Sequence, residues 1–314
     1  MIPTAFQIWL QDRFGGQVRW NEPMSAHTSL RVGGPAEAYI AAADAEGLRE
    51  LVSQCVAEQV PYFILAGGTN LLVRDSGLAG VVIDVKKGFK EIRRLPARDE
   101  VMPVAAGAGV NLQALCRFAI EQGLAGMNFA LGIPGTVGGA IAMNAGTARG
   151  DMAGVVASIR LLTPKGRFVE REKDGIGFDY RGMSIPGMTD DRRGQAVIVD
   201  AVLELTAADP ETVRAEADAL LQERLLMQPT SAWSAGCFFK NPSGGESAGR
   251  LIDQAGLKGQ TVGGAAVSER HANFIINTGQ ARAADILALM ELVQMKVADT
   301  FDVMLEPEVH IVGE

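Results

Sequence analysis

Two glycine-rich turns, each joined to an apolar run, limit what this chain can fold into. The first is Ala66-Gly67-Gly68-Thr69-Asn70-Leu71-Leu72, directly after Tyr62-Phe63-Ile64-Leu65. That apolar run reads as a buried strand, and paired glycines let the backbone turn sharply and approach another group closely. The N–H groups of Gly67, Gly68, Thr69 and Asn70 can then point outward together, which suits an anionic oxygen such as a phosphate. A tight turn with no ligand fits the same residues. The second is Gly132-Ile133-Pro134-Gly135-Thr136-Val137-Gly138-Gly139-Ala140, continuing to Asn144-Ala145-Gly146. Its small residues let a flat, extended ligand lie against the backbone, and its amides can bond phosphates and ring edges. The alternative is a close-packed structural turn. Two such turns in adjacent lobes favour a shared cofactor cleft.

Composition narrows the classes. With 314 residues, 47% of them hydrophobic, the chain can bury a large core spread over two or three lobes. A net charge of −8 disfavours nucleic acid and membrane surfaces as partners. The three cysteines, Cys55, Cys116 and Cys237, include no C-x-x-C pair. His27, His271 and His310 include no pair at helical spacing, so no metal site and no disulfide framework is expected. The segment MIPTAFQIWLQDRF lacks the basic and apolar regions of a signal peptide, which points to a cytoplasmic chain. Residues 122–148 carry no charge and are long enough to span a bilayer. Seven glycines, from Gly123 to Gly146, and Pro134 break that stretch, so a loop-rich ligand site suits it better.

Along the chain, Leu48, Leu51, Val52, Cys55 and Val56 share a helical face over 44–59, with Asp44 as cap. Asn111 caps a second helix bearing Leu112, Leu115, Cys116, Ala119 and Ile120. Pro164-Lys165-Gly166 marks a hairpin, and Asp209-Pro210 a helix start running to about Met227. A short helix near 248–255, a β-like run Ala272–Asn277, a long helix over about 283–300, and a last strand 303–312 interrupted by Pro307 complete the reading. Gly107-Ala108-Gly109 lacks the third glycine of a Rossmann fingerprint, and no Walker-type phosphate loop is present.

The combination HTSLRVGGPAE (27–37), AGGTNLLVRDSG (66–77), GIPGTVGGAIAMNAG (132–146), FDYR (178–181), AGCFFKNPSG (235–244), AGRLIDQAGLKG (248–259) and LEPEV (305–309) resembles one family over nearly the whole chain. That family is the UDP-N-acetylenolpyruvoylglucosamine reductases, the MurB flavoenzymes of bacterial peptidoglycan synthesis, in their shorter type II form. The resemblance implies an α+β protein with an FAD-binding fold of the vanillyl-alcohol oxidase (PCMH) type. Its two subdomains, 1–88 and 89–206, are followed by a substrate domain at 207–302 and a C-terminal strand at 303–314 that returns to the FAD-binding part. It also implies non-covalent FAD, NADPH as hydride donor, UDP-N-acetylglucosamine enolpyruvate as substrate, and a monomer.

In that chemistry a hydride passes from NADPH through N5 of FAD to C3 of the enol ether, and a proton reaches C2, giving UDP-N-acetylmuramate. The cofactor residues implied are Gly67, Gly68, Thr69, Asn70, Leu71, Ile133, Pro134, Gly135, Thr136, Gly139, Asn144 and Gly146. Arg181 matches the carboxylate-binding arginine, and Glu308 a carboxylate that assists charge stabilisation or proton placement. Cys237 stands where many members carry the serine that protonates C2; a thiol, with a reference pKa of about 8.5, is the stronger acid. Lys240, Asn241 and His271 match substrate contacts. Taken singly, each residue also has a plain structural reading: a surface Arg, a strand-end acid, a small buried thiol, a solvated Lys, a surface His. Met183 departs from the hydroxyl residue often found two places after the arginine; Ser184 is one place further on. Two other functions compete: an FAD-dependent oxidase of the same fold, and a UDP-sugar-binding protein without catalysis. A yellow protein bleached by NADPH separates the flavoenzymes from the binding protein.

Overall fold

Asp44, Asn111 and Asp209 each place a side-chain oxygen where a helix has unpaired N–H groups. Asp44 Oδ1 accepts from Gly47 N at 2.8 Å and starts Ala45–Ala57. Asn111 Oδ1 accepts from Ala114 N at 3.1 Å and starts Leu112–Glu121. Asp209 Oδ2 accepts from Thr212 N at 2.9 Å and starts Pro210–Met227, and its bonds to Thr212 hold its carboxyl below the usual carboxylate range. Caps of this kind satisfy amides that the first turn of a helix leaves unpaired.

The computed structural model describes residues 1–186 and 195–313. The chain forms two compact units: Met1–Trp20, Ala38–Gly67 and Ala79–Gln222 in the first, and Asn21–Glu37, Gly68–Leu78 and Glu223–Glu314 in the second.

The first unit carries two sheets. One orders Val18–Pro23, Pro35–Ala41, Leu78–Asp84 and Tyr62–Leu65, the last two parallel. Tyr62–Leu65 is the apolar run that feeds the first glycine turn. Helix Ala45–Ala57 buries Leu48, Leu51, Val52 and Cys55 in a core shared with Ile40, Val81 and Ile83. Burial there pushes the Cys55 thiol up to about 12, so it stays a packed, protonated group.

The other sheet is antiparallel, in the order Phe168–Glu172, Val156–Leu162, Val197–Ala207, Val101–Gly107 and Ile92–Arg94. Leu124–Ala125 pairs with the end of Val197–Ala207. The hairpin expected at Pro164–Gly166 forms, with Gly166 at φ 70°. The uncharged stretch 122–148 is divided into Leu124–Ala125, a 3-10 turn at Asn128–Ala130 and the six-residue helix Val137–Ala142. No helix among the described residues is long and apolar enough to cross a membrane.

The second unit packs the helices Ala248–Gln254 and Ala283–Phe301 against a four-stranded sheet, ordered Trp233–Ser234, Ile275–Asn277, Ala265–Val267 and Thr261–Val262. Two sequence expectations shorten. The β-like run starting at Ala272 is a strand only over Ile275–Asn277, because Asn273 bonds elsewhere and Phe274 N closes a turn on His271 O. The last strand is His310–Val312 alone; Pro307 has no N–H to give a ladder and makes a single bridge with Phe239. His310–Val312 runs parallel to Leu71–Val73, the strand that leaves the first glycine turn.

Two residues after that strand, Asp75 reaches helix Ala283–Phe301. Its Oδ1 accepts from Ala283 N at 2.9 Å and its Oδ2 from Ala284 N at 3.0 Å. This carboxylate supplements Asp285, whose Oδ2 accepts from Arg282 N and Gly264 N and whose carboxyl is held low by those bonds. Asp75→Ala should therefore lower the urea midpoint by the equivalent of about 1–2 kcal/mol with an unchanged slope. An unaltered midpoint would show that the cap adds nothing.

Candidate active site

The first glycine turn is shaped by its own neighbours. Gly68 sits at φ 64°, and a Cβ there would run into the His27 carbonyl oxygen. Ser29 N donates to Gly68 O at 3.0 Å and Ser29 Oγ to Thr69 O at 3.3 Å. Only glycine fits such an approach, and the segment His27–Ser29 fixes the turn's carbonyls on its protein side. Among the described residues, the amides of Gly67 and Gly68 donate to no protein acceptor. Two adjacent amides held this way suit a phosphate or a flavin ring edge.

In the first unit, the second glycine segment is largely committed to the fold. Gly132 N donates to Gln113 Oε1, Ile133 N to Ala130 O, Val137 N to Val110 O, and Gly138 N to Ala108 O. Thr136 caps the short helix through Gly139 N at 3.3 Å. A Cβ on Gly139 would lie 3.2 Å from Ala66 Cβ, so the two glycine segments meet within this unit. Gly135, at φ 129°, and exposed Pro134 form the outer bend.

Arg181 occupies the second loop position of the hairpin Gly177–Asp179/Gly182–Ser184. Its φ is 61°, a left-handed conformation that costs a non-glycine residue about 1 kcal/mol or more. Its Nη1 donates to Gly146 O at 3.1 Å, and its guanidinium lies 5.1 Å from the Tyr180 ring centre. Asn144, at φ 39° and buried, donates through Nδ2 to Asp179 O at 3.1 Å and to Asp151 Oδ2 at 3.2 Å. Its Oδ1 accepts from Ala153 N at 2.9 Å. The structure thus gathers Asn144, Gly146 and Arg181, with the Asn144 amide bracing the arginine hairpin. Met183, at the position where a hydroxyl residue is often found, faces Phe178 across that hairpin and packs on the core.

The second unit brings together Asn70, Cys237, Lys240 and Glu308. Glu308 N donates to Phe238 O at 2.8 Å, and Lys240 N to Glu306 O at 2.8 Å, with Phe239 opposite Pro307. This backbone exchange sets Cys237, half-buried, one residue from the pairing partner of Glu308. Asn70 Nδ2 donates to Glu308 O at 3.1 Å and Asn70 O accepts from His310 N at 3.1 Å. The turn that begins at Gly67 therefore ends by holding the Glu308 backbone. Lys240 Nζ stands 3.4 Å from the exposed Glu306 carboxylate. Asn241 is exposed and accepts from Ala248 N at 3.1 Å, at the head of helix Ala248–Gln254.

His271 is half-buried, its ring 4.9 Å from that of Phe274, and its Nδ1 accepts from Asn273 N at 3.3 Å. Burial, then nearby Lys258, lowers its pKa from the usual 6.5, which agrees with a neutral ring accepting at Nδ1. Sequence reasoning missed Asn273. A buried polar residue inside an apolar, β-like run was the available signal.

A family profile described as the UDP-N-acetylenolpyruvoylglucosamine reductase C-terminal domain matches residues 228–312, and an FAD-binding domain profile matches 36–171. A UDP-N-acetylenolpyruvoylglucosamine reductase of Desulfosudis oleivorans is 51% identical over the whole of both chains. The chain belongs to the UDP-N-acetylenolpyruvoylglucosamine reductase family. A second member, from Heliobacterium modesticaldum, is 40% identical over 96% of this chain and 92% of its own. The crystal structure of the MurB reductase of Thermus caldophilus superposes with a TM-score of 0.76 at 35% identity, covering 93% of this chain and 97% of that one. The expected α+β fold with an FAD-binding domain and a C-terminal domain is thereby confirmed.

The lowered His271 value has a direct consequence for stability. The unfolded imidazole binds a proton more readily than the folded one, so unfolding takes up a proton below about pH 6.5. Stability contributed by the neutral folded ring is therefore lost as pH falls from 6.5 toward the lowered folded value. Urea midpoints at about pH 7.5 and about pH 5.5 should differ less in His271→Gln than in the wild type. Equal differences would show that His271 carries no such linkage.

Proposed function

We propose that this chain reduces the enolpyruvyl ether of UDP-N-acetylglucosamine enolpyruvate to UDP-N-acetylmuramate, using NADPH and non-covalently bound FAD, in the cytoplasmic stage of peptidoglycan synthesis. The observation that supports the reading is the backbone exchange between 238–240 and 306–308, which pairs Glu308 with Phe238, the residue after Cys237, at the motif positions of the family. The glycine cradle at Gly67–Gly68, closed to any Cβ at Gly68, fits FAD. Thr69, Leu71, Ile133, Pro134, Gly135, Thr136, Gly139 and Gly146 complete the proposed cofactor contacts. Bound FAD supplies the two-electron relay between the nicotinamide and the enol ether.

The residues of the chain perform the remaining tasks. As hydride adds to C3, negative charge spreads from C2 onto the substrate carboxylate. The Arg181 guanidinium pairs with that carboxylate in a two-point fork and stabilises the charge as it develops. Hairpin strain and the Gly146 O bond fix its direction before substrate arrives. The Cys237 Sγ delivers its proton to C2, and the thiolate recovers a proton from solvent. The Glu308 carboxylate orients that transfer, its backbone anchored on both sides by Phe238 O and the Asn70 amide. Lys240 and Asn241 hold the diphosphate, and His271, neutral at physiological pH, offers a polar contact to the UDP moiety.

The purified protein should be yellow, and its NADPH consumption should depend on the UDP-sugar. Cys237→Ser should retain substantial turnover. Cys237→Ala should still lose its flavin colour to NADPH but slow by about 100-fold or more in product formation. Full turnover in the alanine variant would rule out the thiol as donor. Arg181→Lys keeps the charge but loses the fork, and should lower kcat by about 10-fold or more. An unchanged kcat would remove Arg181 from the transition state.

A further inference from the structure

Asn273 is 3% exposed, and both polar atoms of its side chain are committed to one residue. Its Oδ1 accepts from Phe239 N at 2.9 Å, and its Nδ2 donates to Phe239 O at 2.8 Å. Its own carbonyl accepts from Phe238 N at 2.7 Å. The amide thereby reproduces the paired N–H and C=O of a neighbouring strand, at a point where the chain is turning and no strand is present. On the opposite edge, Phe238 O accepts from Glu308 N and Lys240 N donates to Glu306 O. The segment 238–240 is thus clasped from both sides.

Sliding is blocked as well. The Phe238 and Phe239 side chains are 0% and 1% exposed and pack edge-on, with ring centres 5.4 Å apart. Cys237 directly precedes the clasped pair and Lys240 directly follows it. His271 is drawn into the same arrangement, because Asn273 N donates to its Nδ1.

We propose that Asn273 is a positioning residue: its side-chain amide fixes the backbone register between Cys237 and Glu308, and so holds the proton donor at the distance its transfer requires. The inference rests on the reading of Cys237 as donor. No apolar side chain of similar size replaces this function, since it would leave Phe239 N and O buried without partners. Displacing a donor by about 1 Å is enough to cost a proton transfer about 100-fold.

The test uses the flavin-loaded enzyme under anaerobic conditions and separates the two half-reactions. Asn273→Leu removes both amide bonds; Asn273→Asp keeps an acceptor for Phe239 N. Cys237→Ala is run beside them. Flavin content and reduction by NADPH should stay within about two-fold of the wild type in the Asn273 variants. Return of the flavin band on adding UDP-N-acetylglucosamine enolpyruvate should slow by about 30-fold in Asn273→Leu and less in Asn273→Asp, with KM for the UDP-sugar changing less than kcat. Equal slowing of both half-reactions, or fast reoxidation in Asn273→Leu beside a stalled Cys237→Ala, overturns the positioning role alone. Fast reoxidation by Cys237→Ala overturns the donor reading and this inference with it. A measurement on the wild type needs no variant to fold: hydrogen exchange should find the Phe239 amide among the slowest in its segment, and rapid exchange there overturns the clasp.

Discussion

The backbone exchange between 238–240 and 306–308 is the interaction on which the rest of the candidate site depends. It involves only one true bridge, at Phe239 and Pro307, flanked by Glu308 N to Phe238 O and Lys240 N to Glu306 O. Pro307 prevents a longer ladder, so the contact is short and needs support from elsewhere. Support comes from three sources: two buried phenylalanines, the Asn273 amide and the Asn70 amide. The result is that residues about seventy positions apart act as one rigid element. In the proposed mechanism, the thiol of Cys237 and the carboxylate of Glu308 thereby gain backbones in a fixed relation without lying on a long regular strand.

The first unit solves a different problem with similar chemistry. In the proposed mechanism Arg181 presents its guanidinium from the tip of a two-strand hairpin, and hairpin tips are ordinarily mobile. Here the tip is held in a left-handed conformation and tied to the glycine segment by Gly146 O and Asn144 Nδ2. Asn144 was a cofactor residue by motif, yet its side-chain atoms bond to Asp151, Asp179 and Ala153. Glycine-rich segments in this protein therefore do two things. Their small residues turn the backbone sharply, and Asn144 and Gly146 brace the hairpin that carries Arg181.

Much of this was legible in the sequence because the signals are local. Asp44, Asn111 and Asp209 start helices by bonding amides three residues away, and Tyr62–Leu65 forms the strand that its apolar run suggests. What was not legible is non-local. Asp75 caps a helix 208 residues further along the chain, and nothing in its own neighbourhood announces that. Asn273 has strand-like neighbours on both sides, but its side chain serves a segment 34 residues earlier, which shortens the strand. Asn70 stands within a motif that suggests ligand contact, while its amide is spent on Glu308 O. Short polar side chains that replace a missing strand partner leave almost no trace in hydrophobic periodicity, which records burial and not pairing.

The central claim is that hydride and proton are delivered to an enolpyruvyl ether by this site. Anaerobic stopped-flow absorbance of the flavin band in the wild-type protein tests it most directly. NADPH should bleach the band, and UDP-N-acetylglucosamine enolpyruvate should restore it stoichiometrically with formation of UDP-N-acetylmuramate. Bleaching without restoration by that substrate, followed by rapid restoration by oxygen, would contradict the account and assign the chain to oxidase chemistry.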